Sequence, residues 1–375
     1  MLNAPEQACL VIADISGYTS YLAGVELDHA QDILGDLMNT VVGSLRPAFR
    51  LAKLEGDAAF CYVMTDTVDG SALMDSIEGT YFSFRRRLRD VAAASTCECN
   101  ACIRIPSLNL KILAHHGPVG RQRIAGRDEL VGSEVILAHR LLKNDVTERT
   151  GMVAYALYTD ACVRAMGVDP SAVGLVEHRE TYEFIGEVDC WLRDLEAAWA
   201  ADLDRTRVVV EPGDAFASFT FDLPAPPGIV WEYVTSPARR PRWQHGVTEI
   251  VESSATGRRG VGTTNHCMHG KDAIIEEIVD WRPTDYLTLR WQLPVPGAPK
   301  MLMTELFEPA PSGTAVTYRF GRPRSKKELA FLEQVMPTLE PSFRAGLEAL
   351  GPLVAEEAAR RADDRPVETT TARSS

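Results

Sequence analysis

The chain has 375 residues, of which 45% are apolar and 24% charged, a composition ordinary for a globular protein of two or three domains. Its formal net charge of −13 argues against a general nucleic-acid binder, which needs a basic face, but leaves room for a local basic patch that holds a nucleotide. There is no basic segment before an apolar run at the N-terminus and no membrane-length apolar stretch, and the eight cysteines come without a secretion signal, so we expect a cytoplasmic protein with reduced thiols.

Residues 1–200 are predicted to form a first domain in which strands and helices are mixed, which favours an α+β sandwich with a mostly antiparallel sheet. The predicted elements, in chain order, are a strand at 8–15, a helix at 28–50, a hairpin at 53–64, a helix at 70–94, a strand at 108–117, a short return strand at 119–126, a helix at 133–144, strands at 152–159 and 175–184, and a last segment to about 195.

A polar segment, 201–214, ends in Pro-Gly-Asp and is predicted to be a linker. The region 215–357 then shows an alternating strand, a Pro-rich turn and a short helix. Six strand-like runs follow, at 246–252, 261–268, 273–281, 286–293, 301–308 and 314–320. A long helix at about 325–360 closes this domain with an apolar stripe. The polar tail, 358–375, is predicted to be disordered.

The stretch "LVIADISGYTSYL" (10–22) places a carboxylate, Asp14, inside an apolar run that leads into a Gly17-Tyr18-Thr19 turn. An unpaired charge in a protein interior costs several kcal/mol. Asp14 therefore needs a partner or an exposed position.

Asp57 is the expected companion of Asp14, because it follows a glycine in "KLEGDAAF", where a tight turn between two strands is expected. Two aspartates at the ends of neighbouring strands can hold two Mg²⁺ ions about 3.5–4 Å apart, an arrangement used for in-line attack at phosphorus. The alternative is that Asp14 caps the following turn and Asp57 lies in an exposed hairpin, since Asp beside Gly is common in turns.

Three segments, "ADISGYTSYL", "KLEGDAAF" and "VGSEVILAHRLL", resemble the signature segments of class III nucleotide cyclases in order and approximate spacing. The resemblance covers about residues 8–190. It implies a ferredoxin-like α/β sandwich that dimerises head to tail, with active sites at the dimer interface.

The resemblance also implies roles for individual residues. Asp14 and Asp57 match the two metal-binding aspartates, and Ile15 joins them through its main chain. Lys53 matches the lysine that recognises the purine edge in adenylate-specific members, and Arg140 matches the arginine that stabilises phosphate charge in the transition state. The main chain near the turn is expected to face the triphosphate at Ile15, Gly17, Tyr18 and Thr19.

Two positions depart from the family pattern. Glu129 stands where the family has its base-selecting aspartate, and Ile136 replaces the asparagine that orients the ribose. Loss of one preorganised polar group in such a site typically costs about 10²–10³ in rate. The resemblance therefore implies intact metal and phosphate elements with impaired ring closure. Taken alone, Lys53 and Arg140 are also typical of a solvated surface.

A cysteine cluster, Cys97, Cys99 and Cys102, has the pattern C-x-C-x-x-C, which fits zinc or an iron–sulfur cluster. A fourth ligand is not evident in the sequence, although His115, His116 and Cys61 are candidates. The alternative is a loop of redox-sensitive or incidental thiols. The remaining cysteines are predicted to be small core residues: Cys9, Cys162, Cys190 and Cys267.

The region 215–355 resembles the START-like, polyketide-cyclase-type (SRPBCC) helix-grip superfamily, through its opening strand, its consecutive strands and its long C-terminal helix. This resemblance implies an antiparallel sheet around the helix and an apolar ligand cavity. Candidate wall residues, each of which is also typical of ordinary core, are Trp231, Trp243, His266, Met268, Trp291 and Met301. His245 and His266 are candidates for acid–base chemistry, but the sequence shows no partner for either.

Two classes of function follow from the sequence. In the first, a divergent, homodimeric cyclase-homology domain binds a nucleoside triphosphate with Mg²⁺ or Mn²⁺, with or without forming cyclic AMP. A lipid or small apolar ligand in the second domain then regulates it. In the second, the START-like domain is a hydrophobic ligand carrier or a polyketide cyclase-type enzyme, and the cyclase-like domain is a non-catalytic regulator.

Overall fold

The computed structural model of the protein describes residues 4–18, 21, 27–94, 105–124, 127–295 and 298–363. The chain folds into two compact units, with a boundary between Asp204 and Arg205. None of the helices in these ranges has the length and apolar character needed to cross a membrane.

The first unit combines helices with one sheet, as expected for an α+β domain. Its strands are β1 (Glu6–Ser16), β2 (Arg50–Glu55), β3 (Ala58–Met64), β4 (Asn109–Ile124), β5 (Arg127–Val131), β6 (Tyr155–Thr159), β7 (Val176–Tyr182) and β8 (Gly186–Asp194). Its helices are α1 (Leu27–Leu45), α2 (Gly70–Ala94), α3 (Ser133–Leu141), α4 (Val146–Thr150), α5 (Asp160–Met166) and α6 (Leu195–Asp204).

The sheet of the first unit has the strand order β2-β3-β1-β4-β6-β8-β7, with β5 paired to β4. All of these pairs are antiparallel except β4 with β6. Both faces of the sheet bury apolar side chains. The larger core contains Leu37 of α1 and Tyr81 of α2, and the smaller one contains Phe60 of β3 and Ala138 of α3. Helix α3 therefore packs on the face opposite α1 and α2.

Two glycines shape the turns at one end of the sheet. Gly17 follows β1 with a φ of +86°, and Gly56 lies between β2 and β3 with a φ of +66°. Only glycine adopts this left-handed region at little cost. These turns bring the end of β1 next to the β2–β3 hairpin.

The second unit is a seven-stranded antiparallel sheet with a long helix. Its elements are β9 (Ala215–Leu223), α7 (Pro227–Thr235), β10 (Glu249–Ser253), β11 (Thr264–His269), β12 (Asp272–Arg282), β13 (Tyr286–Gln292), β14 (Met301–Ala310), β15 (Gly313–Gly321) and α8 (Lys326–Asp363). The strand order is β10-β11-β12-β13-β14-β15-β9. Side chains of α7 and α8 share one core with the sheet, including Trp231, Leu347 and Leu350.

The structure differs from the sequence-based boundaries in several places. Helices α4, α5 and α6 were not predicted, and α8 continues to Asp363, so residues 358–363 are helical although they were predicted to belong to a disordered tail. The segments predicted as a strand and its return strand, 108–117 and 119–126, form the single strand β4, because Gly117-Pro118 stays extended, and β5 is the return strand. Of the residues predicted as linker, 201–214, the first four form the end of α6, and 205–214 belong to the second unit. The Val208 N–H donates to Asp280 Oδ2 (2.8 Å), and the buried Val210 donates to Thr304 Oγ1 (2.9 Å).

Candidate functional site

Asp14 and Asp57 meet at one end of the sheet of the first unit. Asp14 lies opposite Ala58 in the β1–β3 pair, and the Ile15 N–H donates to the Asp57 carbonyl oxygen over 3.1 Å. Burial raises the pKa of Asp57, and the nearby charge of Asp14 raises it further, whereas Lys111 lowers it. The two carboxyl groups are therefore close enough to repel each other.

The ion pair with Lys111 explains how Asp14 is tolerated in an apolar strand. Lys111 lies directly opposite Asp14 in the β1–β4 pair, and its Nζ is 3.0 Å from Asp14 Oδ2. The same ammonium donates to the Leu142 carbonyl oxygen over 3.2 Å. Since the Asp14 side chain is only 16% exposed, this partner offsets much of the cost of burying its charge.

This group of side chains fits a divalent metal ion. Carboxylate and main-chain carbonyl oxygens are the ligands that Mg²⁺ prefers in proteins. The position beside Asp14 already accepts one positive charge, that of Lys111. The residues that would hold a metal ion are Asp14 and Asp57, together with the Ile15 carbonyl group.

Lys53 and Glu129 also come together, although they are 76 positions apart. Lys53 Nζ on β2 is 3.9 Å from Glu129 Oε2 on β5 and 2.9 Å from Glu55 Oε1. Glu55 Oε2 in turn is 2.9 Å from Nε2 of His139 on α3. Glu55 and His139 were not among the predicted site residues. Glu55 contacts the lysine that the family resemblance assigned to base recognition, and His139 contacts Glu55 in turn.

Ile136 and Arg140 lie on one exposed face of α3, four residues apart. Ile136 is 60% exposed, which is unusual for a large apolar side chain. Arg140 is exposed as well, and within the part of the chain that the structure describes, no ion pair involves it. Of the turn residues predicted to face a triphosphate, Gly17 is exposed and the Tyr18 ring packs against the larger core, while Thr19 lies outside the described residues.

Cys97, Cys99 and Cys102 also lie outside the described residues, so the predicted cluster stays a prediction. Of its three proposed fourth ligands, the two histidines are engaged elsewhere. His115 contacts Glu134 and Thr159, each at 2.8 Å, and His116 Nε2 is 3.0 Å from the Thr65 carbonyl oxygen. The described cysteines are all buried free thiols: Cys9, Cys61, Cys162, Cys190 and Cys267.

One further group with metal-ligating side chains lies within the described residues. The ligand atoms of Asp145, His178 and Glu180 are all within 4.8 Å of one another. The group is held together internally, since His178 Nε2 is 2.5 Å from Glu180 Oε1 and the Asp145 N–H donates to the same oxygen. These hydrogen bonds give the buried imidazole and carboxylate a structural role.

The second unit contains a cavity of about 80 Å³ between α8 and its sheet. Of the six predicted wall residues, Trp243 lines it. Trp231, Trp291 and Met301 are instead buried core residues, His266 is exposed, and Met268 is half-buried. Of the two acid–base candidates, His245 lines the cavity.

The charged side chains at this cavity were not among the site residues predicted from the sequence. Arg240 donates two hydrogen bonds to Glu276, of 2.6 Å to Oε2 and 2.8 Å to Oε1, and both side chains are buried. Burial would raise the pKa of Glu276, but Arg240 lowers it, so Glu276 stays ionised. Glu305 also lines the cavity, and burial raises its pKa to about 8.

Two known protein families match different parts of the chain. Residues 34–150 match a family described as protein of unknown function (DUF2652). Residues 217–355 match the family described as polyketide cyclase/dehydrase and lipid transport, which confirms the predicted START-like domain.

Solved structures with similarity to about half of the chain include two nucleotide cyclases. The guanylyl cyclase Cya2 is 14% identical, with a TM-score of 0.41, over 51% of this chain and 93% of that one. The adenylyl cyclase CyaB from P. aeruginosa is 14% identical, with a TM-score of 0.37, over 52% of this chain and 98% of that one.

A relative of this chain is the uncharacterized protein Rv2561/Rv2562 of Mycobacterium tuberculosis. The two sequences are 32% identical over 163 residues, which make up 43% of this chain and 73% of the relative. With this identity over most of the relative's length, the chain belongs to the same family as Rv2561/Rv2562.

Proposed function

We propose that the first unit binds a nucleoside triphosphate together with Mg²⁺ or Mn²⁺ and closes the cyclic phosphodiester ring slowly or not at all. The observation that carries this proposal is the meeting of Asp14 and Asp57 at the end of β1, beside the Gly17 turn. A bound metal ion would neutralise phosphate charge there. Lys111 would shift from Asp14 toward the phosphates, since a lysine is an effective point charge for them.

The base and ribose ends of the nucleotide are assigned to residues on and beside α3. Lys53 and Glu129 are close enough to contact one base together. Ile136 and Arg140 share the exposed face of α3. We assign these two groups to sites completed by a second copy of the chain, which makes the active form a homodimer. The exposed Ile136 is then explained as a surface covered in that dimer.

Ring closure is expected to be slow because Ile136 cannot form a hydrogen bond with the ribose. Replacing it by asparagine, Ile136→Asn, should increase cyclic product by about 10- to 100-fold, since positioning the attacking hydroxyl is worth several kcal/mol. Since the Ile136 side chain is 60% exposed, the Ile136→Asn variant should fold without a large loss of stability. The measurement is cyclic nucleotide formed from each of the four triphosphates with Mn²⁺.

The matched control is Val153→Asn, which introduces the same amide at another exposed apolar position of the first unit. It should leave product formation unchanged. Equal activity of the wild type and Ile136→Asn, with both binding nucleotide, would show that Ile136 does not limit the reaction.

The second unit is assigned to binding a small, largely apolar ligand in the cavity between its sheet and α8. Because both units are on one chain, the simplest function of this ligand is to regulate the nucleotide-binding unit in signalling. The alternative is a hydrophobic ligand carrier or polyketide cyclase-type enzyme with a purely regulatory first unit. A ligand that binds the second unit without changing nucleotide binding would favour the alternative.

A further inference from the structure

The cavity of the second unit has polar atoms that the protein itself does not satisfy. Asn265 and Glu305 both line it and are 3% and 6% exposed. Within the described part of the chain, Asn265 Oδ1 and Glu305 Oε2 have no hydrogen-bond partner, and neither does Nε2 of His269, which also lines the cavity. Leaving a buried polar atom unpaired costs about 1–3 kcal/mol, so three such atoms in one cavity indicate a place for a polar ligand group.

Charge in this cavity is already balanced without a ligand. Arg240 and Glu276 neutralise each other through their two hydrogen bonds, and Arg240 Nε also donates to Gln244 over 2.9 Å. Burial raises the pKa of Glu305 to about 8, so this carboxyl is protonated at neutral pH. An anionic or cationic ligand would therefore add an unbalanced buried charge.

From this arrangement we infer that the cavity binds a neutral molecule with an apolar ring and a hydroxyl group, which accepts a hydrogen bond from Glu305 and donates one to Asn265. A hydroxyl is both donor and acceptor, which matches one protonated carboxyl and one amide oxygen. This inference rests on the proposal that the second unit binds a ligand, and it specifies the polar end of that ligand.

The remaining wall suits a flat apolar ring. Its aromatic residues are Trp243, Trp281, Tyr318 and Phe343, and its aliphatic residues include Leu289 and Leu339. The volume of about 80 Å³ is several times what one water molecule needs, so the space is larger than a single hydration site. The residues of α8 that line it carry no charge: Leu339, Ser342, Phe343 and Gly346.

The test uses four molecules that share one ring and differ in their polar group: benzyl alcohol, toluene, benzoate and benzylammonium. Each is titrated into the full chain at pH 7, with binding followed by calorimetry and tryptophan fluorescence. Benzyl alcohol should bind about five- to tenfold more tightly than toluene, the value of one to two net hydrogen bonds. Benzoate and benzylammonium should bind at least about tenfold more weakly than the alcohol.

Binding should also depend on pH in a defined direction. The groups that face Glu305 are Arg240, Glu276 and Tyr318, and the cavity also contains His245 and His269. Burial lowers the pKa of His269 and raises that of Tyr318, so neither changes charge between pH 7 and 9.5. Benzyl alcohol affinity should fall by about five- to tenfold between pH 7 and 9.5, to that of toluene, as Glu305 loses its proton and the hydrogen bond it donates, while toluene affinity should stay constant.

Two variants separate a polar contact from a structural role. Glu305→Gln keeps an N–H donor, so it should retain the preference for the alcohol and lose its pH dependence. Glu305→Leu should bind toluene and benzyl alcohol equally. Toluene binding as tightly as the alcohol in the wild type would overturn this inference and leave ligand binding by the second unit intact. Tighter binding of benzylammonium would also overturn it, and binding of none of the four would overturn both.

Discussion

Asp14→Ala should abolish the effect of divalent metal on nucleotide binding. In the wild type, Mg²⁺ should tighten triphosphate binding by at least about tenfold, which corresponds to about 1.4 kcal/mol. Removing the Asp14 carboxylate leaves Asp57 alone, and the affinities with and without Mg²⁺ should become equal. The measurement is calorimetric titration of a non-hydrolysable triphosphate analogue, with Mg²⁺ or with a chelator.

The loss of Asp14 also leaves Lys111 without its ion-pair partner, at a cost of about 1–3 kcal/mol in stability. The variant Asp14→Asn should therefore be measured together with Asp14→Ala. Its amide oxygen still accepts a hydrogen bond from Lys111, but its side chain carries no charge. Asp189→Ala, which removes an exposed carboxylate paired with Arg179, is the matched control and should bind like the wild type. Metal dependence that persists in both Asp14 variants would contradict the assignment.

Glu276→Ala should destabilise the second unit by about 3–5 kcal/mol, the cost of leaving one partner of a buried ion pair uncompensated. Arg240 would keep its charge in the cavity and its hydrogen bond to Gln244, but it would lose both hydrogen bonds to Glu276. The free energy of unfolding is measured with urea and tryptophan fluorescence. Four of the six tryptophans, Trp231, Trp243, Trp281 and Trp291, lie in this unit.

The neighbouring residue provides the control for this experiment. Glu277 pairs with Arg290 at 2.8 Å, but both side chains are about 40% exposed. Glu277→Ala should therefore cost less than about 1 kcal/mol. The double variant Arg240→Met/Glu276→Leu should recover most of the stability lost in Glu276→Ala. If Glu276→Ala lowered the free energy of unfolding by no more than Glu277→Ala does, the buried ion pair would contribute little to stability.

Much of the fold follows from local patterns in the sequence. The strands of the second unit were expected within a few residues of their observed bounds, because apolar and polar residues alternate with turn residues between them. Helix α2 begins and ends where predicted. The predicted path of β4 was wrong because Gly117-Pro118 suggests a turn locally. In the structure, pairing with β1 as far as Val119 and with β5 from Gly120 keeps this strand extended.

The candidate sites were only partly predictable, because their geometry depends on contacts between distant strands. Asp14 and Asp57 stand out in short motifs beside glycine. Lys111 does not, since its role comes from register, which places it opposite Asp14. Glu276 and Glu305 each lie in an apolar strand, and that irregularity was the available signal. Nothing local shows that Arg240, 36 residues before Glu276, reaches the same cavity.

The most direct test of the central claim is the binding of a nucleoside triphosphate to the wild-type chain, with and without Mg²⁺ or Mn²⁺, measured together with cyclic product. We expect binding that the metal ion strengthens, and little or no cyclic product over the time in which an active cyclase converts all of its substrate. No binding under any metal condition would contradict the nucleotide site, and rapid cyclisation would contradict the role assigned to Ile136.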